Sequence, residues 1–228
     1  MSVSNNWMER IVAFVLRHRS GPDKIHASHL EVERKFRLTQ CQIEPVRERI
    51  VSLGFGAASL VFMTDYFLPT ENEGDMMRVR FESEQDKKRT CLTQKSWVGT
   101  SDGGRERKET ESEIPTLVGS LLILIGRCLK GSELLTFSKH RQLFEGKLSG
   151  LNAVVSLDRV DNLGPYSGHY LEVEILVPIQ ENVAPARERI ADFARAVLGE
   201  GCEPVEMSYM NMLKRSLELR APAKSLSD

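Results

Sequence analysis

The chain has 228 residues, of which 41% are hydrophobic and 28% charged, and its formal net charge is −1. This length is enough for one sizeable domain with its own core, and all-β barrels of this length are often single domains. The near-neutral charge argues against non-specific binding to nucleic acid or to membrane surfaces, because both require an excess of basic residues.

The features that bear on the compartment favour the cytoplasm. No apolar run is long enough to span a bilayer, and the N-terminus lacks the basic start, apolar centre and cleavage site of a secretory signal. The four cysteines lie far apart and form no Cys-x-x-Cys pair, so neither a zinc site nor a disulfide framework is indicated. We therefore expect a cytoplasmic protein with reduced cysteines that binds neither membrane nor nucleic acid.

Hydrophobic spacing predicts a chain that contains both strands and helices. Trp7, Ile11 and Phe14 have helical spacing, which predicts an amphipathic helix over Asn6–Arg19. A turn region is predicted over Gly146–Gly150. The predicted strands are Leu30–Leu38, Ser59–Leu68, Met76–Glu82, Arg89–Trp97, Arg105–Ser112, Leu134–Phe144, Ala153–Val160 and His169–Pro178. The later helices are predicted at Glu44–Leu53, Ile114–Cys128, Pro185–Leu198 and Glu206–Leu219.

Charged residues alternate with apolar ones in the first predicted strand. Side chains two apart on a strand point to the same face, about 6.7 Å from each other. Glu31, Glu33 and Lys35 therefore share one face, while Val32 and Phe36 mark the other. For one strand alone, the simplest interpretation is a solvated outer face at the edge of a sheet.

The same spacing recurs in later strands, and this changes the interpretation. An ordinary antiparallel sheet has its polar face in water, but here that face carries acids on some strands and bases on others. If the strands close with this face inward, they form an antiparallel β-barrel of about eight strands around a charged tunnel, with helices packed on its apolar exterior. The repeated positions are Arg78 and Arg80, Lys139 and Arg141, Glu172 and Glu174, together with Lys95, Glu109, Glu111 and Asp158.

The order of these motifs resembles the CYTH family, also called triphosphate tunnel metalloenzymes. The family hallmark Glu-x-Glu-x-Lys is matched by Glu31, Glu33 and Lys35. Further matches are Asp65-Tyr66-Phe67, Arg78-Val79-Arg80, Leu92-Thr93-Gln94-Lys95, Arg107 with Glu109 and Glu111, Lys139 with Arg141, Leu157-Asp158-Arg159-Val160, Glu172-Val173-Glu174 and Ser208-Tyr209. The chain departs from the family in Ser96-Trp97, where Gly-Pro is usual, and in an insert at Gly164–Gly168.

The resemblance implies a domain over residues 29–217, preceded by an N-terminal helical extension over residues 1–28 and followed by a tail over residues 218–228. It implies a triphosphate-containing small molecule as the ligand. Arginine forks suit phosphate oxygens, and lysine acts as a point charge. The implied binding residues are Lys35, Arg78, Arg80, Lys95, Arg107, Lys139 and Arg141. Lys95, Lys35 and Glu33 are the implied catalytic residues.

A divalent cation, Mg²⁺ or Mn²⁺, is the implied cofactor, because carboxylates and phosphate supply the oxygen ligands that Mg²⁺ prefers. The implied ligands are Glu31, Glu33, Asp158, Glu172 and Glu174. Glu109 and Glu111 are open to two roles, orienting the bases or holding a second metal. Some of these acids must pair with bases even in an empty tunnel, since unpaired buried charge is costly. For Asp65, Tyr66 and Tyr209, a structural role is equally open.

The resemblance leaves three functions to be separated. The leading hypothesis is a metal-dependent hydrolase that cleaves the terminal phosphoanhydride of inorganic triphosphate, thiamine triphosphate or a nucleoside triphosphate. The second is a class IV type adenylyl cyclase that converts ATP to cyclic AMP and pyrophosphate. The third is a non-catalytic sensor of polyphosphate or nucleotide. A homodimer is compatible with the sequence, although no motif requires one.

Overall fold

The computed structural model describes residues 29–70, 75–99, 105–178 and 182–220. Eight antiparallel strands form a closed barrel in the order β1-β5-β4-β3-β2-β6-β7-β8. The strands are β1 His29–Leu38, β2 Gly56–Leu68, β3 Met76–Glu84, β4 Lys87–Gly99, β5 Arg105–Ile114, β6 Leu135–Leu148, β7 Leu151–Asp161 and β8 Gly168–Pro178. The predicted fold, a closed barrel of about eight strands with helices outside, is confirmed.

The described residues also form four α-helices. They are α1 Ile43–Ser52, α2 Thr116–Lys130, α3 Ala184–Leu198 and α4 Tyr209–Arg220. The last begins three residues after the predicted start at Glu206. The helix predicted over Asn6–Arg19 lies outside the described residues. Within the described ranges, none of the helices has the length and apolar character needed to cross a membrane.

The hairpin between β6 and β7 is tighter than predicted. Gly146 lies inside β6, and the turn consists of Ser149 and Gly150, whose φ angles are 47° and 90°. Two consecutive residues with positive φ are typical of a two-residue hairpin turn. Gly146 is required for packing instead, because a Cβ atom there would lie 2.6 Å from the ring of Phe55.

The apolar outer face of the barrel is covered by three helices. Val32 of β1 and Val173 of β8 belong to one core cluster with Ile190 of α3, and α1 packs into the same cluster. On another part of the barrel, Val79 of β3 and Leu122 of α2 belong to a second cluster. These strands therefore bury their apolar faces outward, and the faces with the charged residues point into the barrel.

Helix α4 fills one end of the barrel. It contributes Tyr209 and Met212 to a third cluster with Phe67, Phe137 and Tyr170, which stand on the same strand faces as the charged residues of β2, β6 and β8. This end is the one where β1 finishes and β8 begins, as their antiparallel register shows. These five side chains, which we call the α4 plug, thus close the charged interior on this side.

Candidate active site

Barrel closure brings the charged faces together across neighbouring strands. Where two charged residues face each other on neighbouring strands, they are mostly an acid and a base, and such cross-strand pairs stabilise a sheet. Glu33 and Glu174 are the exception, because two acids face each other there. The acid–base pairs include Asp65 with Arg80, Lys35 with Glu172, Lys95 with Glu109, and Arg141 with Asp158.

One group, the base-rich cluster, has three bases around two acids: Lys35, Lys139, Arg141, Asp158 and Glu172. Arg141 donates to Asp158 through Nε and Nη2, each at 2.7 Å, and its guanidinium also contacts Glu172. Lys139 Nζ lies 3.3 Å from Asp158, and Lys35 Nζ lies 3.0 Å from Glu172. Both predicted metal ligands in this cluster are therefore occupied by bases.

Each acid of the base-rich cluster contacts at least two bases. Burial opposes the charge of Glu172, but Lys35 and Arg141 together hold its pKa well below the usual range. Burial and the neighbouring Arg141 lower the pKa of Lys139 to about 8. The excess of positive charge in this cluster suits it to accept an additional anion.

A second group, the arginine pair, consists of Arg78 and Arg80 held by Asp65. Arg80 donates to Asp65 in a bidentate geometry, with N···O distances of 2.6 and 2.9 Å. Arg78 Nη1 lies 3.4 Å from the same carboxylate. Burial opposes the charge of Asp65, but the two guanidiniums hold its pKa well below the usual range. Asp65 therefore holds the guanidinium groups of both arginines in place.

A third group, the acid-rich cluster, has four acids around one base: Glu31, Glu33, Glu109, Glu174 and Lys95. Lys95 Nζ lies 2.5 Å from Glu31 and 2.7 Å from Glu109. Burial, together with the repulsion of neighbouring carboxylates, raises the pKa of Glu31 well above its usual value. Burial and Glu33 likewise raise the pKa of Glu174 to about 7. Acids therefore outnumber bases in this cluster, although Arg78 lies 3.7 Å from Glu109 and Lys35 lies 3.3 Å from Glu33 at its edges.

The acid-rich cluster has donor chemistry that fits a hard divalent cation. Its acids offer carboxylate oxygens, which Mg²⁺ prefers. The pKa values of Glu31 and Glu174 are raised, whereas for Glu109 burial is outweighed by Lys95 and Arg78, which lower its pKa to about 2. Within the described part of the chain, no three acidic, histidine or cysteine side chains converge closely enough to hold a metal as they stand. The side chain of Glu33 is 28% exposed, against 5% for Glu31 and 23% for Glu109.

The structure thus gathers most of the predicted site residues in the barrel interior. Arg107 is placed by its backbone on β5, opposite Glu31, and its side chain lies outside what the structure describes. Glu111 lies at the periphery, where it accepts a hydrogen bond from Thr93 and approaches Arg78 at 3.9 Å.

Two residues whose roles the sequence left open take definite places. Asp65 holds the arginine pair, and facing acids and bases on adjacent strands were the signal that could have found it. Tyr209 reaches the interior from α4 and donates a hydrogen bond to Asp158 at 3.2 Å. No spacing rule links Tyr209 to Asp158, because the two residues are 51 positions apart in the chain.

Comparison with known proteins agrees with this geometry. The family model of the CYTH domain matches residues 29–209. The PH1819 protein of Pyrococcus horikoshii has a TM-score of 0.63 at 23% identity, over 81% of this chain and 98% of that one. A conserved hypothetical protein of Pyrococcus furiosus has a TM-score of 0.61 at 17% identity, over 80% of this chain and 99% of that one.

A Hippeastrum protein, named as a candidate adenylyl cyclase with a dominant triphosphatase activity, has a TM-score of 0.58 at 16% identity. The match covers 82% of this chain and 95% of that one. Among curated proteins, none matches the chain. At these identities the solved structures establish the fold alone, whereas the family model spans most of the sequence. The chain therefore belongs to the CYTH family, the triphosphate tunnel metalloenzymes.

Proposed function

We propose that this protein is a divalent-metal-dependent triphosphatase that cleaves the terminal phosphoanhydride of a triphosphate substrate. The observation that carries this proposal is the uneven distribution of charge inside the barrel, where a base-rich cluster and an arginine pair adjoin an acid-rich cluster through the Lys35–Glu33 and Arg78–Glu109 contacts. A protein that needed stability alone would fill this space with apolar side chains, since buried ion pairs are often no more stable than apolar replacements.

The bases would hold the phosphates. Arg78 and Arg80 are fixed by Asp65, so their planar forks are preorganised for phosphate oxygens. Lys35 and Lys95 are paired with carboxylates, and phosphate oxygens would replace these partners when the substrate binds. Lys139, Arg141 and Arg107 complete the proposed binding set. Lys35, Lys95 and Glu33 are proposed to act closest to the reacting phosphate.

The acid-rich cluster would hold the metal. Members of the CYTH family generally use a divalent metal, and Mg²⁺ or Mn²⁺ would suit Glu31, Glu33 and Glu174. When bound, the ion would neutralise phosphoryl oxygens and act as a Lewis acid. We assign Asp158 and Glu172 to holding the bases, because both are already saturated by Arg141 and lysines.

Lys95 is proposed to stabilise the charge that develops on the phosphoryl oxygens during cleavage. Its side chain is buried, with 8% exposed, and an ammonium held in a site of low dielectric constant stabilises developing charge without reorganising solvent. Burial lowers the pKa of Lys95, but Glu31 and Glu109 outweigh this effect and raise it above its usual value. The side chain therefore stays charged at neutral pH.

The test is ³¹P NMR of the purified protein with Mg²⁺ or Mn²⁺ and, in turn, inorganic triphosphate, thiamine triphosphate and ATP. Orthophosphate released together with a diphosphate product is the expected result, and the fastest substrate defines the specificity. Pyrophosphate with a cyclic nucleotide would identify a cyclase and contradict the proposal. Absence of turnover, with metal-dependent broadening of the phosphate signals, would contradict it in favour of a sensor.

A further inference from the structure

Tyr209 lies where the α4 plug meets the base-rich cluster. Its ring centroid is 5.5 Å from that of Phe137 and 5.4 Å from that of Tyr170, so the ring packs against two aromatic members of the plug. Lys35 Nζ lies 3.9 Å from the same centroid, and Lys139 Nζ lies 5.4 Å from it. The ring of Tyr209 thus forms the floor beneath the two lysine ammonium groups.

Two further contacts fix this arrangement. The hydroxyl of Tyr209 donates to Asp158 Oδ2 at 3.2 Å, which also accepts from Arg141. The backbone N–H of Val205, just before α4, donates to the carbonyl oxygen of Lys35 at 2.6 Å. Lys35 is therefore held by the α4 region through both its backbone and its side chain.

The contacts of the Lys35 ammonium differ in how they respond to an anion. Glu33 at 3.3 Å and Glu172 at 3.0 Å bind it through carboxylate oxygens, so an incoming phosphate competes with them directly. The face of an aromatic ring attracts a cation through its quadrupole and carries no net charge. A phosphate therefore does not compete with the ring for the Lys35 ammonium.

We propose that Tyr209 is a positioning residue whose ring keeps the Lys35 ammonium directed into the tunnel when a phosphate replaces Glu33 and Glu172. This inference rests on the proposed function, because it assumes that Lys35 binds the triphosphate. It gives α4 a role in the chemistry, since the same helix that closes the barrel also sets the position of a substrate-binding lysine.

Fluorination at position 209 tests the contribution of the ring face. Successive fluorines on phenylalanine withdraw the negative potential of the face while changing the shape of the ring little. We would compare Tyr209→Phe, Tyr209→difluorophenylalanine and Tyr209→pentafluorophenylalanine by calorimetric titration with inorganic triphosphate. We expect Tyr209→Phe to bind within about threefold of the wild type, and affinity to fall about tenfold from phenylalanine to the pentafluoro variant.

Tyr170 supplies the matched control. Its ring belongs to the same plug and meets the Tyr209 ring edge-on, and its hydroxyl donates to the backbone oxygen of Tyr166 at 2.5 Å. The same substitutions at position 170 should leave the affinity for triphosphate unchanged. An equal loss at both positions would overturn the inference, because it would report damage to the plug as a whole.

A stability cycle tests the contact without any substrate. The melting temperature is measured for the phenylalanine and pentafluoro variants at position 209, in the wild-type and Lys35→Met backgrounds. Effects of fluorine on Phe137 and Tyr170 are common to both backgrounds and cancel. We expect fluorination to lower the melting temperature more in the wild-type background. Equal shifts in both backgrounds would show that the ring and the ammonium are not coupled, and would overturn the inference.

The two proposals fail in different ways. If the wild type binds triphosphate and the affinity is the same in all fluorinated variants at position 209, the positioning role is wrong and the proposed function is unaffected. If the wild type binds no triphosphate with or without Mg²⁺, the proposed function is wrong, and the positioning role fails with it. If the affinity for triphosphate falls stepwise with fluorination at position 209 and stays constant at position 170, both the proposed function and the positioning role are supported.

Discussion

The base-rich and acid-rich clusters are built from the same residue types at the same strand spacing, yet they have opposite electrostatic states. In the base-rich cluster, the carboxylate of Asp158 receives hydrogen bonds from Lys139, Arg141 and Tyr209. In the acid-rich cluster, Lys95 must serve both Glu31 and Glu109. The carboxylates of the base-rich cluster are therefore saturated by bases, whereas those of the acid-rich cluster share fewer bases and are the ones proposed to bind a cation.

Strand register explains part of this difference. Glu172 and Glu174 are neighbours on one face of β8, but Glu172 faces Lys35 whereas Glu174 faces Glu33. A shift of two residues along the strand thus changes a neutral pair into a pair of like charges. Like charges that face each other destabilise a sheet, so the acid-rich cluster stores unfavourable energy that a bound cation would release.

Asp158→Asn gives the largest expected effect. It removes the charge that balances Lys139 and Arg141, and loss of one partner from a buried ion pair costs about 3–5 kcal/mol. We expect the free energy of unfolding to fall by about that amount in urea titrations without metal. Asp192→Asn is the control, since Asp192 pairs with Arg195 on the exposed surface of α3, and its effect should be within about 0.5 kcal/mol. Similar losses in the two variants would contradict the assigned burial of Asp158.

The arginine pair predicts how stability depends on pH. The pKa of Asp65 is depressed in the folded state by Arg80 and Arg78, so the unfolded chain binds the proton more readily. The stability contributed by this carboxylate is therefore complete above its unfolded pKa of about 4 and is lost as the pH falls further. Urea titrations at pH 7 and pH 3 should show a smaller loss in Asp65→Asn than in the wild type. An equal loss in both would assign the acid sensitivity to other groups.

Lys95→Ala tests whether the single base of the acid-rich cluster serves the reaction. Loss of one group that stabilises developing charge should reduce turnover of the preferred triphosphate by at least about tenfold. Glu31 and Glu109 also lose their shared cation, so the melting temperature should fall, and added Mg²⁺ should restore part of it. Lys214→Ala is the control, because Lys214 is exposed on α4. Near-normal turnover in Lys95→Ala would contradict the proposed site.

The sequence predicted the residue types of the site and the face on which they lie. This was possible because the alternation of side chains along a strand does not depend on which strands lie beside it. It could not separate Glu172 from Glu174, since their roles depend on which residue of β1 faces them. The same limit applies to Gly146, which resembles a turn residue in the sequence. Its requirement is set by the ring of Phe55, far away in the chain.

Tyr209 marks a second kind of limit. Helical spacing predicted the helix that carries it, and the resemblance flagged the residue, but neither indicated that its ring would lie beneath Lys35. That contact depends on where α4 docks, which is set by packing of Met212 against the inward aromatic residues of the plug. Tertiary docking of this kind leaves no periodic signal in the sequence.

Glu174→Gln is the prediction with the smallest effect on stability, and its sign is opposite to that of Asp158→Asn. Removing one of two facing carboxylates relieves repulsion with Glu33, so the metal-free protein should gain about 0.5–1 kcal/mol in free energy of unfolding. The same change removes a proposed oxygen ligand, and affinity for Mn²⁺, measured by calorimetry or electron paramagnetic resonance, should fall at least about tenfold. Glu188→Gln on the exposed side of α3 should change neither quantity. If Glu174→Gln destabilised the metal-free protein as Asp158→Asn is expected to, the two clusters would be electrostatically alike, and the metal would have to be placed elsewhere in the tunnel.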